Sequence, residues 1–116
     1  MNVYCEQVDK CTVVTIEGDV SVPESDQFRE FLMHRIESGT RDLLLDFSFV
    51  PYVDSSGISA LLLLLQAARK KGGDIRLAGI NERIMSLFRQ VGLHHVFRRF
   101  TSLDEGIQSF QPCETI

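Results

Sequence analysis

Between Leu43 and Arg69 the chain reads LLLDFSFVPYVDSSGISALLLLLQAAR, and this stretch limits the fold more than any other. The run Leu43-Leu44-Leu45-Asp46-Phe47 is apolar and short, the signature of a buried strand rather than a helix. Pro51 stiffens the loop that follows. Asp54-Ser55-Ser56-Gly57 comes next, and apolar residues then recur at helical spacing. The order is central strand, short loop, two hydroxyls, helix. Ser55 and Ser56 therefore sit at or within one residue of a helix N-terminus, where Ser and Asp oxygens accept from free backbone N–H groups. A phosphate carried there meets unpaired donors and the positive end of the helix dipole.

The rest of the chain supplies alternating elements. Val3–Val8 and Thr12–Glu17 read as strands joined in a hairpin at Asp9-Lys10, with Val14 and Ile16 on one face of the second and Val13 and Thr15 on the other. A helix follows Gly18-Asp19. Either Ser21, at capping-box spacing from Glu24, or Val22, with Pro23 in the first helical position, caps it. Its buried stripe is Phe28, Phe31, Leu32 and Ile36, and Gly39 stops it. After the central strand and helix, Gly72-Gly73 marks a break and Asp74–Ala78 a further strand. Asn81 caps a helix whose Ile84, Leu87, Phe88 and Val91 recur at i, i+3, i+4 and i+7. His95–Phe100 is read as a short last strand. Ser102 and Glu105 open a final helix burying Leu103, Ile107 and Phe110. The pattern predicts one α/β domain over residues 1–110, a mixed β-sheet of about five strands with about four helices against it, and a short frayed tail over 111–116.

Composition excludes several functions. At 116 residues the chain holds one core, and a net charge of −4 disfavours a general binder of nucleic acid or of anionic membranes. Leu61–Leu65 is too short to span a bilayer, so no direct membrane insertion is expected, and the N-terminus lacks a secretion-signal layout. Cys5, Cys11 and Cys113 match no metal or redox spacing and read as reduced thiols of a cytoplasmic protein. A hydrolase elbow needs Gly two residues before its serine; Val53 and Asp54 hold that position for Ser55 and Ser56. No spacing argument puts His34, His94 or His95 beside the serines, and adjacent His94 and His95 point apart in a strand. No enzyme activity, cofactor or metal is expected.

Val53-Asp54-Ser55-Ser56-Gly57-Ile58 after a hydrophobic strand resembles the phosphorylation site of bacterial anti-sigma factor antagonists, single-domain members of the STAS superfamily. Glu17-Gly18-Asp19-Val20 at the end of an early strand and Asn81-Glu82-Arg83-Ile84 at the start of a late helix extend the similarity over nearly the whole chain. The resemblance implies the same α/β architecture. It also implies that Ser55, directly after the aspartate, is the phosphorylated residue, with Ser56 as the fallback. The unphosphorylated form would bind a serine-kinase anti-sigma factor and free a sigma factor. Phosphorylation would end that interaction and a serine phosphatase would restore it, in a monomer or weak dimer. A STAS subunit of a lipid-transport ATPase complex is the alternative. One position departs from the pattern: Ser21 stands where many phosphorylated relatives carry an aspartate that engages the kinase or its nucleotide, with Asp19 nearby.

The central helix carries more leucine than one face needs. At about 100° per residue, Ile58, Leu61, Leu62, Leu65 and Ala68 form a core side. Leu63 and Leu64, with Ala60 and Ala67, form a second stripe that another element covers or a partner uses. The expected partner surface is thus Ser21, Asp54, Ser56, Gly57, Ala60, Leu63 and Leu64.

Overall fold

The predicted hairpin is present: β1 (Asn2–Val8) and β2 (Cys11–Glu17) pair antiparallel about Asp9, whose φ of 53° lets a two-residue turn close. The computed structural model describes residues 1–22 and 24–111. After the hairpin come α1 (Glu24–Glu37), β3 (Asp42–Phe49), α2 (Ser55–Lys70), β4 (Asp74–Ala78), α3 (Glu82–Gln90), β5 (Arg98–Phe100) and α4 (Leu103–Ser109). The five strands form one sheet in chain order, β1-β2-β3-β4-β5, and β2 through β5 run parallel. This is the predicted mixed sheet with four helices among the described residues. The choice between Ser21 and Val22 as the cap of α1 turns on Pro23, which lies outside them. So do residues 112–116, which include Cys113 and most of the expected tail.

Strand alternation sorts the side chains into two layers. Val14 and Ile16 of β2, Leu43, Leu45 and Phe47 of β3, and Ile75 and Leu77 of β4 enter one cluster with the buried faces of α1, α2 and α3. The opposite face offers Cys11, Val13, Leu44 and Ala78, against which Leu103 and Ile107 of α4 and its C-cap Phe110 pack. α1, α2 and α3 therefore share one side of the sheet, as right-handed crossovers between neighbouring parallel strands require, and α4 returns alone to the other. Gly106 permits that return, since a Cβ on it would lie 2.7 Å from Leu44 Cδ1. Arg76 anchors the end of α4: its Nη1 donates to Ser109 O (2.6 Å) and its guanidinium lies 4.0 Å from the Phe110 ring centre.

Several boundaries differ from expectation. Residues 94–96 turn instead of extending, and β5 is only three residues long. Phe31 is exposed rather than part of the α1 stripe, which is completed by Ser25. In α3, Met85 is buried while Val91 caps the helix in solvent.

Candidate functional site

Two loops at the C-terminal ends of β2 and β3 are laced together. A register shift between Thr15 and Glu17 ends the regular pairing of β2 with β3. The chain then crosses towards the loop ahead of α2. Gly18 N–H donates to Phe49 O (3.1 Å), Val20 N–H to Tyr52 O (3.0 Å), and Asp54 N–H to Val20 O (3.2 Å). Val20 and Val53 form an isolated parallel bridge. On the far side, Asn81 does two jobs. Its Oδ1 accepts from Ile84 N–H (2.8 Å), capping α3 as predicted, while its Nδ2 donates to Val50 O (3.3 Å) and Pro51 O (3.2 Å). The Arg83 guanidinium sits 4.9 Å from the Tyr52 ring centre. The segment that presents the serines is thus held from both flanks.

Asp54 is the N-cap of α2, in extended conformation (φ −96°, ψ −176°), and its Oδ1 accepts from Gly57 N–H (3.1 Å). Ser55 and Ser56 are the first two residues of the helix. Ser56 is half-buried and donates its hydroxyl to Asp54 Oδ1, and its Oγ lies 2.9 Å from the Oγ of buried Ser25. Because the Ser56 proton goes to Asp54, Ser25 is the donor in that second bond. Ser55 is exposed, and among the described residues its hydroxyl makes no hydrogen bond. Partial desolvation pushes the Asp54 carboxyl up, but hydrogen bonds from the Ser56 hydroxyl and from the backbone N–H groups of Gly57, Val22 and Ser56 outweigh it and hold the group below the ordinary carboxylate value.

Of the residues expected at a partner surface, Asp54 and Ser56 are hydrogen-bonded to each other on either side of Ser55, half-buried Ser21 follows Val20, whose carbonyl accepts from Asp54 N–H, and Leu63 is exposed on α2. Three others need correction. Gly57 is buried, and a Cβ there would lie 2.6 Å from Val53 Cγ1 and 2.7 Å from Val20 O, so this glycine admits the β2 loop instead of touching a partner. Ala60 and Leu64 are buried too, with Leu64 fully enclosed in the cluster that holds Phe28, Leu32 and Ile36. The cause is the packing of α2 against both the sheet and α1. At about 100° per residue, the buried set Gly57, Ile58, Ala60, Leu61, Leu64, Leu65 and Ala68 spans about 160° of the helix, turned towards α1. Leu62, expected in the core, is only half-buried.

Sequence reasoning missed Ser25, Val22, Phe49 and Tyr52. The last three are large exposed apolar side chains, Val22 and Tyr52 on the laced loops and Phe49 at the end of β3. Exposed apolar surface of this kind binds proteins, and Leu63 adds to it about 12 Å further along α2 from Ser55. Ser25 was detectable: it lies three residues before Phe28 on the buried stripe, and a hydroxyl on a core face needs a partner. The carboxylate that accepts from Ser56 is Asp54, which also caps α2, and among the described residues no histidine hydrogen-bonds either serine. Nor does any group of three His, Cys, Asp or Glu there have metal-binding geometry. What the site offers is an exposed primary hydroxyl on a rigid helix terminus.

A layered α/β domain whose β3–α2 junction displays a capped Asp-Ser-Ser-Gly turn defines a class, and the STAS domain family model matches residues 2–106: the chain belongs to that family. It is similar to the anti-sigma-B factor antagonist of Bacillus subtilis (strain 168), with 29% identity over 108 residues, covering 93% of this chain and 98% of that one. The anti-sigma-B factor antagonist of Staphylococcus aureus (strain NCTC 8325 / PS 47) is 28% identical over 93 residues, or 80% of this chain and 86% of the relative. In fold it matches a putative anti-sigma factor antagonist of Thermotoga maritima with a TM-score of 0.88 at 16% identity, over 93% of each chain. No described helix is long and apolar enough to cross a membrane.

Proposed function

We propose that this chain is an anti-sigma factor antagonist, a binding module switched by phosphorylation of Ser55. One observation carries the reading: of two adjacent serines at the start of α2, Ser55 is exposed with no hydrogen bond to its hydroxyl among the described residues, while Ser56 is tied to Asp54 and Ser25. The names of the full-length relatives agree with it. In this reading the unphosphorylated face, built from Ser21, Val22, Tyr52, Asp54, Ser55 and Leu63, docks on a serine-kinase anti-sigma factor and so releases a sigma factor. The kinase transfers the terminal phosphoryl group of ATP to Ser55 Oγ, the hydroxyl proton leaves, and ADP departs. The phosphate adds about −1.5 to −2 charge at neutral pH in the middle of the docking face, beside the carboxylate of Asp54. The helix N-terminus tolerates that charge, so the domain stays folded while the partner is repelled. A serine phosphatase hydrolyses the ester and resets the switch. The chain acts as substrate and ligand rather than catalyst, in the cytoplasm where ATP and sigma factors meet.

The test is an incubation with ATP, Mg²⁺ and a lysate of the cells that encode the protein, followed by intact mass and peptide mapping. One phosphate on Ser55 supports the reading. An unmodified protein, or one modified elsewhere, rejects it.

A further inference from the structure

We propose that β1 is a pairing edge, on which a second copy of this chain adds its own β1 antiparallel to make a continuous ten-stranded sheet. β1 lies at one margin of the sheet and is seven residues long, Asn2-Val3-Tyr4-Cys5-Glu6-Gln7-Val8, without Pro, Lys or bulge. Such edges are normally shortened or charged. The opposite margin follows that rule, since β5 has only three residues and two of them are Arg98 and Arg99.

The register with β2 shows which backbone groups are free. The two-residue turn closes on Val8 and Cys11, so Val8, Glu6, Tyr4 and Asn2 exchange hydrogen bonds with β2. The N–H and C=O groups of Val3, Cys5 and Gln7 point outward. An antiparallel second copy centred on Tyr4 places Val3 against Cys5 of the other copy and the reverse, and these two pairs satisfy four donors and four acceptors. Tyr4, a large exposed side chain, then meets its own counterpart at a non-hydrogen-bonded position, where side chains approach most closely. Glu6, the only ionised side chain of the strand, faces Asn2 rather than another Glu6. Charge, backbone and aromatic pairing are therefore self-complementary in a single two-fold register, as an isologous contact requires.

Apolar surface continues across the seam. Above β1, on the helix face, Met1, Val3, Gln27, Phe28 and Phe31 line an open groove of about 240 Å³. Phe31 is the stripe residue that the core of one copy leaves in solvent, with Arg35 stacked 5.2 Å from its ring centre. Two-fold pairing sets two such grooves side by side. The seam runs along the outer margin of β1, two strands from β3, whose C-terminal end leads to the segment that carries Ser55.

Sedimentation of the unphosphorylated protein over a concentration series tests this, with chain concentrations rising to ~0.5 mM. A monomer–dimer equilibrium is expected, and Tyr4→Lys, a substitution edge strands tolerate, should shift it to monomer without moving the melting temperature measured at concentrations where both proteins are monomeric. A Tyr4→Cys variant carrying Cys5→Ser and Cys113→Ser should form a cross-linked dimer on mild oxidation, because non-hydrogen-bonded pairs bring Cα atoms to about 4.5 Å, within disulfide reach. A protein that stays monomeric throughout the series overturns the proposal. So does a dimer that survives Tyr4→Lys and fails to cross-link at position 4, which would place the contact on another surface.

Discussion

Ser25 on α1 and Ser56 on α2, 31 positions apart in sequence, share a hydrogen bond of 2.9 Å that passes on through Ser56 to Asp54 Oδ1. A buried hydroxyl of one helix thereby orients the capping carboxylate of another. The consequence is a division of labour between two chemically identical neighbours: Ser56 is structural and Ser55 is available.

Substituting each serine separates these roles. Ser55→Ala should abolish labelling by the kinase and leave the melt unchanged. Ser56→Ala should keep labelling at Ser55 but lower stability by about 1 kcal/mol, the usual worth of a part-buried side-chain hydrogen bond. Peptide mapping with a denaturant titration reads both. Full labelling of Ser55→Ala would show that the acceptor has been misassigned.

Asp54 gives the site a pH dependence whose sign is fixed. Its carboxyl in the folded protein lies below the ordinary 3.8, so folding favours the ionised form. That contribution is fully present above the unfolded value and is lost as pH falls through the folded one. Asp54→Asn keeps a side chain able to cap but removes the titration. The stability difference between wild type and Asp54→Asn should therefore be constant near pH 6 and shrink as pH drops below about 3.8. Parallel urea titrations at pH 6 and pH 2.5 measure it; a difference that grows on acidification contradicts the assignment.

Leu63 and Leu64 should respond in opposite ways to the same change. Leu64→Glu puts a charge into the closed core and should cost the domain several kcal/mol, enough to unfold a marginal protein. Leu63→Glu lies in solvent and should alter stability by within about 0.5 kcal/mol. If Leu63 anchors the proposed partner, its loss should weaken binding roughly tenfold or more. Melting curves test the first pair of statements and a binding titration the last. Intact binding by Leu63→Glu would remove that residue from the interface.

Gly57→Ala tests the lacing of the two loops. A methyl group there meets Val53 and the Val20 carbonyl at distances real Cβ atoms do not adopt, so Val20 must move. A loss of about 1–3 kcal/mol is expected from such overpacking. Because Val20 carries the β2 loop to the site, amide resonances of residues 19–22 should shift as well. Unchanged shifts there would mean that α2 yields instead.

Local chemistry made much of this legible in advance. Asp54, Asn81 and Ser102 each announce a helix start, and each accepts from the N–H three residues on. Alternation in β2 separated Val14 and Ile16 from Val13 correctly because the two faces of the sheet are both covered. The rotation of α2 was not legible. From Ala60 to Leu65 every residue is apolar, so periodicity there has no polar side to orient it, and only contact with α1 decides that Leu64 is inside and Leu63 outside. The site's second half was hidden for a similar reason. The lacing of Val20 to Tyr52 and Val53 uses backbone groups, which leave no mark in side-chain pattern. Phe31 misled because it neighbours Leu32 on α1, whereas the true stripe passes through Ser25.

The identity between strand order and chain order bears on how the molecule is made. Each new strand from β2 onward joins the growing margin of what already exists, with its crossover helix closing over the previous pair. Every parallel pair joins strands consecutive in the chain, so no pairing waits for a strand made later than its neighbour. On a ribosome, which delivers the N-terminal part first, the two laced loops and the serine turn have left the tunnel before β5 and α4 are synthesised. The late elements then cover the rear face through Leu44, on the side of the sheet away from α2 and its serine turn.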